Sequence, residues 1–560
     1  MYRNAESWIV CVALNLLTAM VCMAADEPPR PPALPKISLE TSRTSTPVTG
    51  KTIQVEAGGD LQAALNKAQP GDEIILRAGA TYTGNFILPA KGGDGPWITI
   101  RTSNMADLPK EGVRVSPKNA AAMPKIVAPN ANPAVSTALN AGHYRLIGLE
   151  ITVAPTVTTT WGIVRLGKGR PEQTTLDVVA HHLILDRVYI HGDPKHDCFR
   201  CVVLDSAASA VVDSCLSEGH VVGFDAQAIC GTNGPGPFKI VNNYLEGSGE
   251  NIMFGGADPA VPDLVPSDIE FRYNYCFKPL SWKIGDPSYA GVPWAVKNLF
   301  ELKNARRVLI EGNVFENNWV HAQNGTAILF TVRNQSGTAP WSAVQDVTMI
   351  NNRLRNSPTA FVVMGYDSPN KSQQTQRFLI RNNLFEQIAR MGFYVTWGSD
   401  DVEIDRNTFL PTNYLPFVMS GLKGHDASGK VVGIPCQRFK LTDNIFGFGQ
   451  YGPGVDGGQN SFAEAFPGAT WGNNLLVGWG EGRAEHQRKN TNFPPGFLFE
   501  TNKIDSGASK EADWAAVGFV DFSGGNYRLT AASKYKAAGT DGKPLGADID
   551  VIEEVVKKAR

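Results

Sequence analysis

The sequence predicts an all-β solenoid, a chain wound into stacked coils of short strands, and two observations carry that prediction. Seven segments repeat one pattern, three or four alternating apolar positions followed by Asn and an apolar pair: FKIVNNYLEG (238–247), IEFRYNYCFK (269–278), VLIEGNVFEN (308–317), VTMINNRLRN (347–356), FLIRNNLFEQ (378–387), VEIDRNTFLP (402–411) and FKLTDNIFGF (439–448). Their aligned asparagines, Asn243, Asn274, Asn313, Asn352, Asn383, Asn407 and Asn444, stand 31, 39, 39, 31, 24 and 37 residues apart. Alternation of period two marks strands, and Asn, which tolerates the left-handed backbone region, suits the tight bend between two of them. Short strands returning at such intervals, with no helical pattern between them, stack into coils ~4.8 Å apart, and the longer spacings are insertions projecting from one turn. A propeller would show blades of steadier length and signature dipeptides, which this chain lacks.

The other elements fall in order around that array. Residues 1–24 read as a signal peptide: Arg3 in a short polar start, an apolar run from Trp8 to Ala24, then the proline-rich DEPPRPPALP. The run is short for a membrane anchor and holds Asn15, so a secreted or periplasmic protein beginning near Ala25 is expected, with 25–50 as a Pro-rich linker. Asp60 is placed to cap a short amphipathic helix whose Leu61, Ala64, Leu65 and Ala68 share one face, suited to covering the open edge of the first coil. The coils are expected over 51–480. Residues 481–560, with YRLTAASKYKAAGTDGKPLGADID, are expected as an irregular C-terminal cap.

With 560 residues, 42% hydrophobic and 19% charged, and a net charge of -2, the chain can bury a large core and has no electrostatic bias towards nucleic acid or anionic membrane. No later apolar run is long enough to cross a bilayer. Six cysteines follow the leader; Cys198 and Cys201, with His191 and His196 just upstream, leave a metal site, a local disulfide or buried thiols open. No metal ligand set is assigned.

The early helix with PGDEIILRAGATYTGNF, the asparagine-marked coils and the closing GTDGKPLGADID resemble secreted right-handed parallel β-helix proteins of the pectin-lyase-like superfamily. Within it, GPGPFKIVNNYLEGSGENIMFGGADP, KNLFELKNARRVLIEGNVFENNW and RNQSGTAPW look like an uncharacterised bacterial branch, the likeness running over about residues 51–550. The resemblance implies that fold and a polysaccharide partner. It leaves the reaction open, because the superfamily holds lyases, hydrolases, esterases, epimerases and adhesins. Of the polygalacturonase-type motif set only Asp400-Asp401 is present, read as an exposed turn, and the WIDH and RxPxxR patterns of pectate lyases are missing.

Chemistry is best sought in a second repeat, LFELKN (299–304) and LFTVRN (329–334). As equivalent strands of adjacent coils they would turn Phe300, Leu302, Phe330 and Val332 inward and Glu301, Lys303, Thr331 and Arg333 outward. Extending the alignment to NIMFGGAD sets Asn251 beside Asn298 and a hollow of Gly255 and Gly256 beside Lys303. Neighbouring Lys303 and Arg333 would repel by about 3 kcal/mol at ~5 Å and an effective dielectric of 20, so something must offset the charge. Glu301 offers a solvated salt-bridged wall. An acidic sugar offers a site: Arg333 binds a uronate carboxylate while Lys303 acts as base in β-elimination, as the lysine and arginine of lyases on this fold do.

Trp282, Lys283, Trp294, Lys297 and Trp341 lie on insertions near that face, where aromatic rings can stack on sugars or anchor loops. Glu250, Asp258 and Glu301 are available for orientation or a calcium ion, the one cofactor candidate, and His220 with Asp225 forms a second candidate group. The expectation is a monomeric polysaccharide lyase. A glycoside hydrolase, pairing Glu301 with Glu250 or Asp258, and a non-catalytic carbohydrate-binding protein are the alternatives.

Overall fold

The computed structural model describes residues 27–559 apart from 94, 397, 421–423, 426–430, 433, 451, 456–464, 479–502 and 505–509, so the apolar leader at 1–24 lies outside the described residues. Successive coils pair in parallel: Val308 lies beside Val347 and Ile310 beside Met349 on one side of the coil, Phe300 beside Ile328 and Leu302 beside Phe330 on another. Among the described residues one sheet of 14 strands, from Thr52–Val55 to Thr470–Gly472, forms the first side. A sheet of 24 strands carries the two series on the remaining sides. The chain is a right-handed parallel β-helix. Its interior is filled by residues of alternating parity, including the stacked rings of Phe361, Phe393 and Phe417 at 5.2 and 5.0 Å.

The repeated asparagines bend the coil in a different way from that expected. The residue in the left-handed region is the one before each of them, as at Asn242 (φ 58°), Tyr273 (58°), Asn351 (58°) and Arg406 (52°). The aligned Asn turns its amide inward instead. Asn313 donates from its backbone N and from Nδ2 to the same Oδ1 of Asn352, both at 2.9 Å, and Nδ2 also reaches the Phe271 carbonyl at 2.9 Å. The same bonds run from Asn243 through each repeat to Asn474, an eighth member. Only a side chain with two donors and an acceptor can satisfy buried backbone groups on both neighbouring coils.

The first helix, Leu61–Lys67, has Asp60 accepting from Ala63 N at 2.9 Å and buries Leu61, Ala64 and Leu65. The six cysteines after the leader are free, buried thiols.

Residues 27–46 are no free linker. Arg30 N, Ala33 N and Lys36 N donate to Asp401, Asp346 and Asp268 at 2.9, 3.0 and 2.8 Å, and further along Lys239 Nζ donates to the Leu39 carbonyl. The three aspartate contacts fall every three residues and every second coil. Three residues of a proline-stiffened extended chain cover about 9.3 Å and two coils rise about 9.6 Å, so the strap and the solenoid are commensurate. Each aspartate is also held by an arginine one coil on: Arg307, Arg377 and Arg438. Asp400 and Asp401 are accordingly buried rather than an exposed turn.

The C-terminal segment is likewise more ordered than expected and runs along the flank of the solenoid. It holds helices Lys510–Ala516 and Ile549–Val556 with an antiparallel hairpin between them. Ile549, Ile552 and Val556 cluster with Val314, Leu384, Leu410 and Ile445, apolar residues that face outward from coils on this flank.

Candidate functional site

Lys303 follows the strand Phe300–Leu302, and Arg333 follows Thr326–Thr331 on the next coil; Arg333 N donates to the Lys303 carbonyl at 2.9 Å. Phe300, Leu302, Phe330 and Val332 are all in the core, as expected. The strand register differs by two residues from the sequence alignment, Phe300 lying beside Ile328, and a slip of two preserves the faces. On the preceding coil the slip is one residue. Glu250, not Asn251, pairs with Asn298, and Met253 lies beside Glu301, which exchanges the faces of that strand relative to the alignment.

The glycine hollow survives this correction. Gly255 and Gly256 have φ of 89° and 87°, and a Cβ at Gly255 would lie 2.5 Å from Asn304 N and 2.9 Å from Lys303 Cβ. No side chain can stand there, so the floor beside Lys303 stays low.

Each cation is backed by a buried carboxylate. Lys303 Nζ lies 3.1 Å from Glu301 Oε1, and Glu301 also accepts from Thr331 Oγ1 at 3.1 Å and Asn298 Nδ2 at 3.0 Å. Arg333 Nη1 donates to Asp367 Oδ1 at 2.7 Å, while Asn334 N takes the other oxygen at 2.9 Å. The side chains of Lys303 and Arg333 are 17% and 30% exposed, against 2% and 0% for Glu301 and Asp367. A ligand arriving from solvent therefore meets the cations first. Asp367 is a residue that sequence reasoning missed; its only signal is its place one coil beyond Arg333.

Behind Glu301 lies a polar cluster on successive coils. Gln227 is in register with Glu250 and Glu250 with Asn298, and Gln227 Nε2 donates to Glu250 Oε2 at 2.6 Å. Burial, reinforced by Glu301 and Asp225, pushes the Glu250 carboxyl up to about 7. Gln227 Oε1, Glu250 Oε1 and Asn298 Oδ1 are buried without a hydrogen-bond partner. Orphaned oxygens beside two carboxylates fit a hard cation such as Ca2+, which takes oxygen ligands only. Asp258 does not belong to this set: it accepts from Ser336 N, Thr338 N and Thr338 Oγ1 at 3.1, 2.9 and 2.7 Å and so closes a loop. Asp225 is paired with Lys297; burial opposes the lysine's charge, but Asp225, Glu250 and Glu301 together raise its pKa. Lys278, which the sequence did not single out, donates to the carbonyls of Gly247, Ser248 and Gly249 and fixes the turn entering Glu250. Burial lowers its pKa to about 7.

The aromatic residues play another part than the one expected. Trp282 and Trp294 are buried with Val296 and Trp319, where apolar burial outweighs any gain from an exposed ring. His220 is fully buried between them, stacked on Trp294 at 3.7 Å and with Nε2 2.9 Å from Glu218, so it cannot reach a substrate as a base. Trp341 is half-buried and donates to the Leu264 carbonyl at 3.2 Å. Lys283 sits half-exposed on the insertion.

No protein-family profile matches the sequence, and no curated protein does. Among solved structures, the chain is similar to the PL6-family alginate lyase AlyGC at 17% identity and a TM-score of 0.48, over 81% of this chain; it spans 53% of AlyGC's length. It is similar to a mannuronic acid specific family 6 polysaccharide lyase from human gut microbiota at 12% identity and TM-score 0.47, covering 83% of this chain and 94% of that one. The pectate lyase Pel9A matches at 14% identity and TM-score 0.35, covering 90% and 98%. These likenesses concern the fold alone. Among the described residues no helix is long and apolar enough to cross a membrane.

Proposed function

We propose that this chain is an exported polysaccharide lyase that cleaves a uronate-containing polysaccharide by β-elimination, with Lys303 and Arg333 at the reacting centre. The observation that carries the reading is the pair itself: two partly exposed cations on adjacent coils, beside the glycine hollow, each held from behind by a buried carboxylate. Elimination needs a base at the carbon next to the uronate carboxylate and positive charge on that carboxylate as the carbanion develops. Arg333 offers two parallel donors to a carboxylate, which Lys cannot. Lys303, having released its own proton to water, takes the substrate's; the electron pair left behind forms the double bond and expels the glycosidic oxygen, which takes a proton from the lysine or from water, while Glu301 positions the amine. A Ca2+ held by Glu250, Asn298 and Glu301 would add positive charge near the same carboxylate. Export through residues 1–24 and action as a monomer are parts of this proposal.

The alternatives have less support. Glu250 and Glu301 lie below the surface, so a hydrolase would lack a carboxylate pair able to flank a sugar bond. A binding protein would be expected to expose Trp282 and Trp294, which are buried. The test is a panel of uronate-containing polysaccharides, with and without calcium, followed by ultraviolet absorbance of the unsaturated uronide. Rising absorbance supports elimination. Reducing ends without absorbance would transfer the site to hydrolysis, and binding without either product would remove catalysis.

A further inference from the structure

Near the N-terminal end, two segments share a spacing that the asparagine pattern hides: AGHYRLIGLEITV (141–153) and AHHLILDRVYIHG (180–192). Their strands, Gly142–Ile147 and His181–Asp186, lie on adjacent coils with His181 beside Gly142, which sets His182 beside His143. On later coils this position holds Asp268, Arg307, Asp346, Arg377, Asp401 and Arg438, the ion pairs beneath the proline-rich strap. Here it holds imidazoles instead.

One ligand nitrogen from each of His143, His181 and His182 lies within 4.8 Å of the others, and His181 Nδ1 is 2.8 Å from His182 Nδ1. All three side chains are half-buried. Gly142 makes the arrangement possible: a Cβ there would come within 2.4 Å of the His181 ring. A cavity of about 200 Å³ opens against His143 and His181, bounded also by Lys91, Gly92, Gly93 and Asn140. Lys91 Nζ donates to the Asn66 carbonyl at 2.8 Å.

We propose that His143, His181 and His182 bind one divalent transition-metal ion of the zinc type, whose remaining coordination position faces this cavity. Three neutral imidazoles select Zn2+, Cu2+ or Ni2+ over Ca2+ and Mg2+, which require oxygen donors. A tetrahedral centre with metal–nitrogen bonds of about 2.1 Å sets its nitrogens roughly 3.4 Å apart. Loading therefore spreads His181 Nδ1 and His182 Nδ1 from their present 2.8 Å and turns His182 out of its stack on His143, where the centroids are 4.5 Å apart and the planes 9° from parallel. Because none of the three donors carries negative charge, the ion keeps its full charge. The open position then favours water or an anionic ligand such as a carboxylate, for which the cavity has room. The site is remote in sequence from Lys303 and does not depend on the elimination reaction.

The test is metal binding by the full chain after treatment with chelator, with Zn2+ followed by calorimetry and Co2+ by its visible absorption. The expected result is about one ion per chain at micromolar or lower concentration, with Co2+ bands of four- or five-coordinate nitrogen ligation. His143→Ala, His181→Gln and His182→Ala should each weaken binding about tenfold or more, with circular dichroism and melting temperature reporting whether the coil persists. His191→Ala, outside the cluster, should leave it unchanged. No stoichiometric binding, or binding that survives in all three folded variants, would overturn the assignment; survival would place the ion at other donors such as the buried thiols.

Discussion

Glu301 Oε1 lies 3.1 Å from Lys303 Nζ, and Glu301 is buried where Lys303 is partly exposed. A buried carboxylate thus fixes the position of an amine that faces solvent. Lys303→Ala should reduce turnover of the uronate substrate by about 10²–10⁴-fold, the usual contribution of a general base, with little change in melting temperature. Lys303→Arg keeps the charge but not an amine that can shed its proton, and should be nearly as inactive. Full activity in Lys303→Ala would remove the lysine from the reaction.

Arg333 is held by Asp367 at 2.7 Å. Arg333→Lys should retain the point charge and lose bidentate binding, lowering kcat/KM by roughly tenfold to a hundredfold, and Arg333→Ala by more. A variant with unchanged kcat/KM would show that another group neutralises the substrate carboxylate.

The orphaned oxygens of Gln227, Glu250 and Asn298 predict a calcium-dependent stability. At a hundredfold excess over its dissociation constant, a cation bound only by the folded chain adds about 2.7 kcal/mol. Calcium should raise the melting temperature of the parent and leave Glu250→Gln almost unmoved. Equal shifts in the two proteins would place the ion elsewhere.

Glu246 sets a pH dependence of its own. Burial, with Glu218 adding to it, pushes its carboxyl from 4.5 up to about 7. Between those values the folded chain keeps a proton that the unfolded chain has lost, so this group's contribution is complete below pH 4.5 and stability falls as pH rises towards 7. The loss is at most roughly 3 kcal/mol. Glu246→Gln should flatten the profile over that window when unfolding is followed in urea at stepped pH. An unchanged slope would assign the dependence to other groups.

The asparagine ladder predicts large local costs. Asn313→Ala removes a side chain that donates to the Phe271 carbonyl and Asn352 and accepts from Asn274, stranding buried partners on both sides. A loss of roughly 3 kcal/mol is expected by denaturant unfolding, with Asn351→Ala, which precedes a ladder position in the left-handed region and gives up a part-buried hydrogen bond from Asn382, costing less. Equal costs would mean that the bend matters more than the ladder.

How much of this was legible beforehand follows from what each signal depends on. The period of the hydrophobic pattern and the recurring Asn are local properties, and they determined the solenoid, the inward Phe300, Leu302, Phe330 and Val332, and the outward Lys303 and Arg333. Register is not local: parallel strands are joined by insertions whose length a sequence alignment cannot divide between loop and strand, so Asn251 was aligned where Glu250 stands. Burial is not local either. Trp282, Trp294 and His220 pack on one another from distant segments, and Asp258 is taken up by a loop 80 residues away. The strap is intermediate: its prolines marked a linker, but only the tertiary structure set its three-residue rhythm against alternate coils. The sequence by itself determined which faces exist, because side-chain parity is a property of each strand. Only the tertiary structure decided which residues share a site, because the stacking of coils brings together groups that lie 23 to 48 residues apart.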